Sequence, residues 1–354
     1  FPAPLGPNTP KNSPECTSTF SGWRAIKSPY FFAISTALTS GAPSPMIIGI
    51  CSILCIIGFN HNRINHEVDC NSMVMDDPST SVLKVEKIPL NDDSIDGYIA
   101  KATINRPNKL NALNAEVMDS LKKFCAWVEN DRSIRCVIIA GAKPLPAEEG
   151  KRPKPNAFVA GADISEFVGM DSVATKIKFT DNAVEALWGL TKPTIAMVDG
   201  FALGGGCEVA CSCDIRIASV RAKFGTPEIN LGLIPGYGAT QRLAKLIGYG
   251  KTLEMVMTGE MIDAAEAKSI GLVNHVCSSE ELENFTLDMA NKIASKSGFT
   301  LAAAKRTIKA ALNNTLDQGI AIEAEEFANL FDSKDKEEGV KAFMERSKPK
   351  WQDS

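Results

Sequence analysis

Histidine is nearly absent from this chain. Of 354 residues only His61, His66 and His275 carry an imidazole, and the first two lie in a stretch unlike the rest. The commonest general base is therefore scarce, His275 alone remaining beyond that stretch, and proton transfer in the globular part is expected to fall to carboxylates. Regular cysteine spacing is missing as well. The ten cysteines show no disulfide framework, and Cys207, Cys211 and Cys213 have no neighbouring histidines to complete a zinc set, so reduced thiols and no metal are expected. A basic excess is also lacking: 42 acidic against 38 basic residues leave a formal charge of -4. No global field marks a nucleic-acid binder, and an anionic partner has to be held locally. What is present is a 44% apolar fraction, enough for the core of one large domain with appendages.

Acidic residues are scarcest at the start. Up to His66 the only one is Glu15, amid Ser, Thr and Pro, and no charge occurs from Ser28 to Asn60. The apolar run Met46 to Phe59 is shorter than the ~20 residues a bilayer span requires. Residues 1–72 thus read as a leader outside the fold: an organelle-targeting presequence, a signal or anchor, or sequence lost from the mature protein. A removable leader is favoured over an anchor, with Met73 or Met75 as sensible starts for the globular part. An acid-poor presequence would point to the mitochondrial matrix; without it the protein would be cytoplasmic. No stable membrane insertion of the core is expected.

From Ser81 onward short apolar strands alternate with amphipathic helices, the pattern of an α/β chain. Tyr98–Ile104 reads as a strand, 105–114 as a polar loop, and Asn114 as the N-cap of a helix whose Val117, Leu121, Phe124, Cys125 and Val128 share a face. Ile134–Ala140, Thr194–Val198 and Ile215–Ala218 read as further strands. Residues 142–156, rich in Lys, Pro and Glu, read as a long surface loop. Beyond Lys251 the chain turns mostly helical, with Leu282, Phe285, Met289 and Ile293 on one stripe and another helix from Ile320 to Phe331.

The chemistry concentrates in three short segments. Phe201-Ala-Leu-Gly-Gly-Gly-Cys-Glu208 puts a glycine turn at the start of a helix, where free N–H groups and a partial positive charge favour a developing anion. Ala157-Phe-Val-Ala-Gly-Ala-Asp163 supplies a second turn of small residues. If the N–H groups of Ala162 and Gly205 converge, they form a two-donor oxyanion hole. Phe224-Gly-Thr-Pro-Glu228 places a second carboxylate twenty positions after Glu208, with Thr226 as N-cap and Pro227 as first helical residue. Each feature alone has a plainer explanation, a tight turn or a carboxylate beside a helix dipole; their co-occurrence in this order makes an enzyme site.

These segments, with Asn105-Arg-Pro-Asn-Lys-Leu-Asn-Ala-Leu113 and the continuation to Gly236, resemble the crotonase, or enoyl-CoA hydratase/isomerase, superfamily from about Lys84 to Trp351. The resemblance implies a crotonase-like spiral of repeated ββα units over residues 81–275 and a helical region over 276–354 for trimerisation and completion of the CoA site. It also implies acyl-CoA thioester substrates, a homo-oligomer that is a trimer or dimer of trimers, and no cofactor beyond the coenzyme A of the substrate.

Because both motif glutamates are present, hydration of a trans-2-enoyl-CoA is implied, with Glu208 activating water, Glu228 delivering the proton, and Ala162 and Gly205 holding the thioester oxygen. Δ3-Δ2 isomerisation, which would use only Glu228, is the alternative. By the same resemblance the CoA contacts fall to Ala160, Ala162, Asp163, Ile164, Ser165, Gly205 and Gly236, and to Lys109, Phe327 and Arg346. Ser165 stands where a lysine is common, and Lys109 lies one place late.

Overall fold

The computed structural model describes residues 77–354 apart from 93, 94, 148 and 151, so the expectations for residues 1–72 lie outside the described residues. Two sheets build the domain. Strands β1 (Leu83–Pro89), β2 (Tyr98–Ile104) and β3 (Ile134–Gly141) belong to a six-stranded sheet, which continues through β5 (Thr194–Val198), β7 (Ile215–Ser219) and β10 (His275–Cys277). Only β1 pairs antiparallel there. The smaller sheet runs β4 (Ala157–Val159), β6 (Phe201–Leu203), β8 (Lys223–Gly225), β9 (Ile262–Asp263), with β9 antiparallel to β8.

The chain visits both sheets in each turn of a spiral. It passes from β3 to β4, from β5 to β6 and the helix Gly205–Ser212, and from β7 to β8 and a 3-10 turn, Pro227–Leu231. This is the expected spiral of ββα units. Functional loops consequently follow the small-sheet strands, so the segments after β4, β6 and β8 lie side by side because their strands do.

Burial follows the period of two along each strand. Val137 and Ile139 face the larger core with Phe124, Phe158 and Phe224, whereas Cys136 and Ile138 face a second cluster under the helix Leu282–Ala294. A sheet covered on both sides needs near-continuous apolar strands, which is why all of Ile134–Ala140 is buried. The helix Ala115–Asn130 behaves as its spacing predicts. Asn114 accepts a bond from the Val117 N–H, and Val117, Leu121, Phe124, Cys125 and Val128 are all buried.

Of the stripe assigned to 282–293, Leu282 is buried and Met289 and Ile293 pack against the second cluster, and only Phe285 needs correction. The buried line is Leu282, Thr286, Ala290 and Ala294, while Phe285 is partly exposed and tilts against the ring of His275. Small residues, Thr286, Ala290 and Ala294, fill most of that buried line, and the larger Leu287, Met289 and Ile293 flank it partly buried. The loop 142–156 carries no regular structure among its described residues and is mostly exposed, as expected; Lys154 Nζ donates to the Asn108 carbonyl at 2.6 Å, tying it to the 105–114 segment.

Candidate functional site

The helix Gly205–Ser212 is buried along its whole length, so its first turn opens inside the protein rather than at the surface. Gly204 caps it at φ +51°, a backbone that L side chains rarely adopt. A Cβ placed on Gly204 would lie 2.6 Å from Glu228 Oε1, and one on Gly205 would lie 3.7 Å from the Ala162 nitrogen. Two adjacent glycines therefore touch the 3-10 turn on one side and the 160–162 turn on the other.

The amide hydrogens around them are sorted by an isolated parallel bridge between Leu113 and Ala162. Leu113 N donates to the Gly161 carbonyl at 2.8 Å, Asp163 N to the Leu113 carbonyl at 2.7 Å, and Ala160 N to the Leu110 carbonyl at 3.0 Å. The Ala162 and Gly205 N–H groups meet no protein acceptor among the described residues. One is skipped by the bridge alternation, the other belongs to the first turn of a helix. The sequence expectation that both are available to a ligand carbonyl fits this arrangement.

Glu208 is 1% exposed, and its Oε1 accepts from Tyr237 N at 2.7 Å and Ala239 N at 3.0 Å. Ala239 opens the helix Ala239–Ile247, so the carboxylate also sits at a helix N-terminus. Burial, with the nearby Glu228 charge, pushes the Glu208 carboxyl up to about 7 against the pull of the two amide bonds and Arg242. Glu228 is raised by its own burial, and its buried Oε2 finds no hydrogen-bond partner. One carboxyl is clamped and the other carries a free oxygen, an arrangement that can take up and release a proton near neutral pH.

The Glu208 shift is also a statement about stability. A carboxyl raised from its ordinary value near 4.5 to about 7 binds its proton more tightly in the folded state, so folding loses stability as pH rises through that window. Glu208→Gln removes the effect, and at about 1.4 kcal/mol per pKa unit the variant should gain on the order of 3 kcal/mol on the native protein between pH 5 and pH 8. Urea unfolding of both proteins at the two pH values checks this; parallel pH curves would contradict it.

Several neighbours were not foreseen from sequence. Asn111, at φ +59° and 1% exposed, donates its side-chain amide to the carbonyls of Ala142 and Ala157, pinning the 105–114 segment across two elements. Arg106 donates to the Ala112 carbonyl at 2.6 Å and pairs with Asp163 at 2.9 Å, while Ser165 Oγ donates to the other Asp163 oxygen at 2.7 Å. These contacts hold the Asp163 carboxyl down to about 2. Asp163 and Ser165 thus brace the turn from within. Phe167, Phe179 and Tyr237 form an aromatic wall, with Phe179 and Tyr237 stacked at 4.4 Å. Gly236 lies against the Phe179 ring, where a Cβ would come within 2.7 Å.

Not every expected residue gathers here. Thr226 does not act as a hydrogen-bonding N-cap: its hydroxyl is buried without a partner, because β8 delivers the chain with the side chain turned inward. Ile164 and Lys109 are exposed at the rim. Phe327 is 63% exposed and packs edge-on to Phe331, and Arg346 is an exposed left-handed C-cap of the helix Lys334–Glu345. Among the described residues no hydrogen bond or ring contact joins either to the Glu208 and Glu228 cluster.

Comparison with known proteins points the same way as this geometry. The profile of the enoyl-CoA hydratase/isomerase family matches residues 94–354. A short-chain-enoyl-CoA hydratase of Clostridium acetobutylicum is 42% identical over 255 residues, 72% of this chain and 94% of that protein. A probable mitochondrial enoyl-CoA hydratase of Dictyostelium discoideum is 40% identical over 258 residues, 72% of this chain and 88% of its own. Among solved structures, enoyl-CoA hydratase from Bacillus anthracis superposes with a TM-score of 0.68 at 32% identity, covering 77% of this chain and all of that one.

Proposed function

The chain belongs to the enoyl-CoA hydratase/isomerase family, and from that premise we propose that it adds water syn across the 2,3 double bond of a trans-2-enoyl-CoA, giving the 3-hydroxyacyl-CoA. The observation that carries this is the pair of glycines, Gly204 and Gly205, with Glu228 Oε1 against one and the unpartnered Ala162 N–H against the other. The thioester oxygen accepts from Ala162 N and Gly205 N, drawing electrons from the double bond and stabilising the enolate that forms.

Glu208 takes a proton from the water as its oxygen bonds to C3, and Glu228 delivers a proton to C2. Two carboxyls around one water resist ionising together, so the pair passes protons as a coupled unit. The step changes no oxidation state overall, and it needs no cofactor beyond the CoA already on the substrate.

Around this centre, Ala160 to Ser165 would border the pantetheine arm, with Asp163 and Ser165 holding the turn and Gly236 and the aromatic wall shaping the acyl side. Lys109 lies where it could meet a phosphate at the rim. Phe327 and Arg346, exposed on the C-terminal helices of 276–354, would complete a neighbouring subunit's CoA site in a trimer or dimer of trimers. Among the described residues no helix is long and apolar enough to cross a membrane. A mitochondrial matrix location is proposed if residues 1–72 act as a presequence, consistent with one relative being named mitochondrial.

Incubating the purified protein with crotonyl-CoA and following the conjugated-thioester absorbance tests the reading. The absorbance should fall without any added cofactor. A chain that leaves crotonyl-CoA untouched while shifting a 3-enoyl-CoA into conjugation would be an isomerase instead.

A further inference from the structure

Glu208 needs its two amide donors in register, and those donors lie on the turn that leads into the helix Ala239–Ile247 and on its first residue. Tyr237 and Ala239, on either side of Gly238, present N–H groups to Glu208 on one side. On the other side Arg242 Nη1 donates to the Tyr237 carbonyl at 2.7 Å. Arg242 Nη2 donates to Glu185 Oε1 at 2.6 Å, and the guanidinium lies 4.9 Å over the Trp188 ring. The Arg242 side chain is only 10% exposed. Gly238 adopts φ +97° between the two bonded residues, and a Cβ there would lie 2.4 Å from Arg242 Nη1. The fork, the turn and the carboxylate therefore form one stack, with a glycine where the fork passes.

We propose that Arg242 is a positioning residue for hydration: it locks the Tyr237–Ala239 turn so that its amides stay on Glu208, and its charge keeps Glu208 able to give up a proton. This rests on the hydratase reading above. The titratable groups that act on or respond to Glu208 are Glu228 from the 3-10 turn, the Tyr237 phenol, Cys207 and Cys211 from its own helix, and Arg242. Arg242 is the cation among those that act on Glu208. Lys309 Nζ lies 4.3 Å from the centroid of the Trp188 ring and is pushed down to about 8 by burial and by Lys305, with Arg242 adding to the repulsion. Glu185 fixes the fork and is half exposed.

The test compares Arg242→Gln and Arg242→Lys with the native protein, using crotonyl-CoA across pH. Arg242→Gln should raise the acid limb of kcat/KM by about one pH unit, because the base holds its proton longer. Its kcat should fall about tenfold or more with KM nearly unchanged, as expected when a reacting group is misplaced. Arg242→Lys should keep the limb within about 0.3 pH unit, since the charge remains, yet still lose kcat because the planar fork is gone.

An acid limb that stays in place in a folded Arg242→Gln protein overturns the proposal. If that variant does not fold, Arg242→Lys decides: native kcat overturns the proposal, and reduced kcat at native KM and melting temperature supports it. A native protein that hydrates nothing would sink the functional reading instead. The Glu208 titration can then be followed without activity, by comparing the pH dependence of unfolding of Arg242→Gln with that of the Arg242→Gln, Glu208→Gln double variant; a window shifted upward from that of the native protein supports the proposal, and an unshifted one overturns it.

Discussion

Replacing either glutamate by glutamine should reduce crotonyl-CoA hydration by about a thousandfold, with the protein still folded. General acid and base groups contribute roughly 10²–10⁴ each, and these two act on the same water. The amide keeps the shape of the side chain, and at Glu208 its carbonyl can still accept from Tyr237 N and Ala239 N. Glu208→Gln should even be more stable above neutral pH, for the reason given above. Loss of activity together with unchanged or higher stability separates a chemical role from a structural one. The alternative isomerase reading predicts a different result. There Glu228 alone shuttles a proton, so Glu208→Gln would retain isomerisation and only Glu228→Gln would be inert.

The second large effect concerns three consecutive glycines that a sequence motif treats alike. A Cβ on Gly206 would lie 1.9 Å from the Val159 carbonyl oxygen, which is backbone in β4 and cannot step aside. Gly206→Ala should therefore cost about 3 kcal/mol or more by overpacking and lower the melting temperature sharply. A Cβ on Gly204 would meet Glu228 Oε1 at 2.6 Å, the far end of a side chain that can move. Gly204→Ala should fold, with about 1–3 kcal/mol of backbone strain from its positive φ, but lose at least about a hundredfold in kcat because Glu228 is displaced. Melting curves alongside kcat tell the two apart. Equal loss of stability in both variants would mean that the Gly204 contact matters for packing rather than for aiming the carboxyl.

Much of this site was legible in the sequence because its signals are local. Gly204 to Glu208 sits within one strand-to-helix turn, and Pro227-Glu228 within another, so the proposed site residues are close to the residues that mark them. The buried strands and the 115–130 helix were legible for the same reason, since a period of 2 or 3.6 is written into adjacent positions. Contacts that cross the fold were not. The amides of Tyr237 and Ala239 lie 29 and 31 positions from Glu208, and no side chain there announces a donor. The flanking glycines of Gly236-Tyr-Gly238 were the only available sign. Arg242 reads in sequence as one charge on an amphipathic helix; only the turn it grips gives it a role. Asp163 was placed in the ligand-side turn, but its contact with Arg106, 57 positions away, was not legible. Phe285 went astray because a stripe of large residues was weighed above the small ones, and close helix-to-sheet packing favours the small ones.

The relation between the two sheets explains why such distant residues meet. Each small-sheet strand ends beside its neighbour in the order β4, β6, β8, so the turns that follow present Ala162, Gly205 and Glu228 together. Leu113 joins that row through its bridge to Ala162. The arrangement is a property of strand order and register.

A crystal structure of the Glu208→Gln protein with an enoyl-CoA bound would test the central claim most directly. The thioester oxygen should lie within about 2.7–3.1 Å of both the Ala162 and Gly205 nitrogens, with C2 beside Glu228 and C3 facing residue 208. A carbonyl oxygen bound away from that amide pair, or an alkene out of reach of one of the two side chains, would contradict the account.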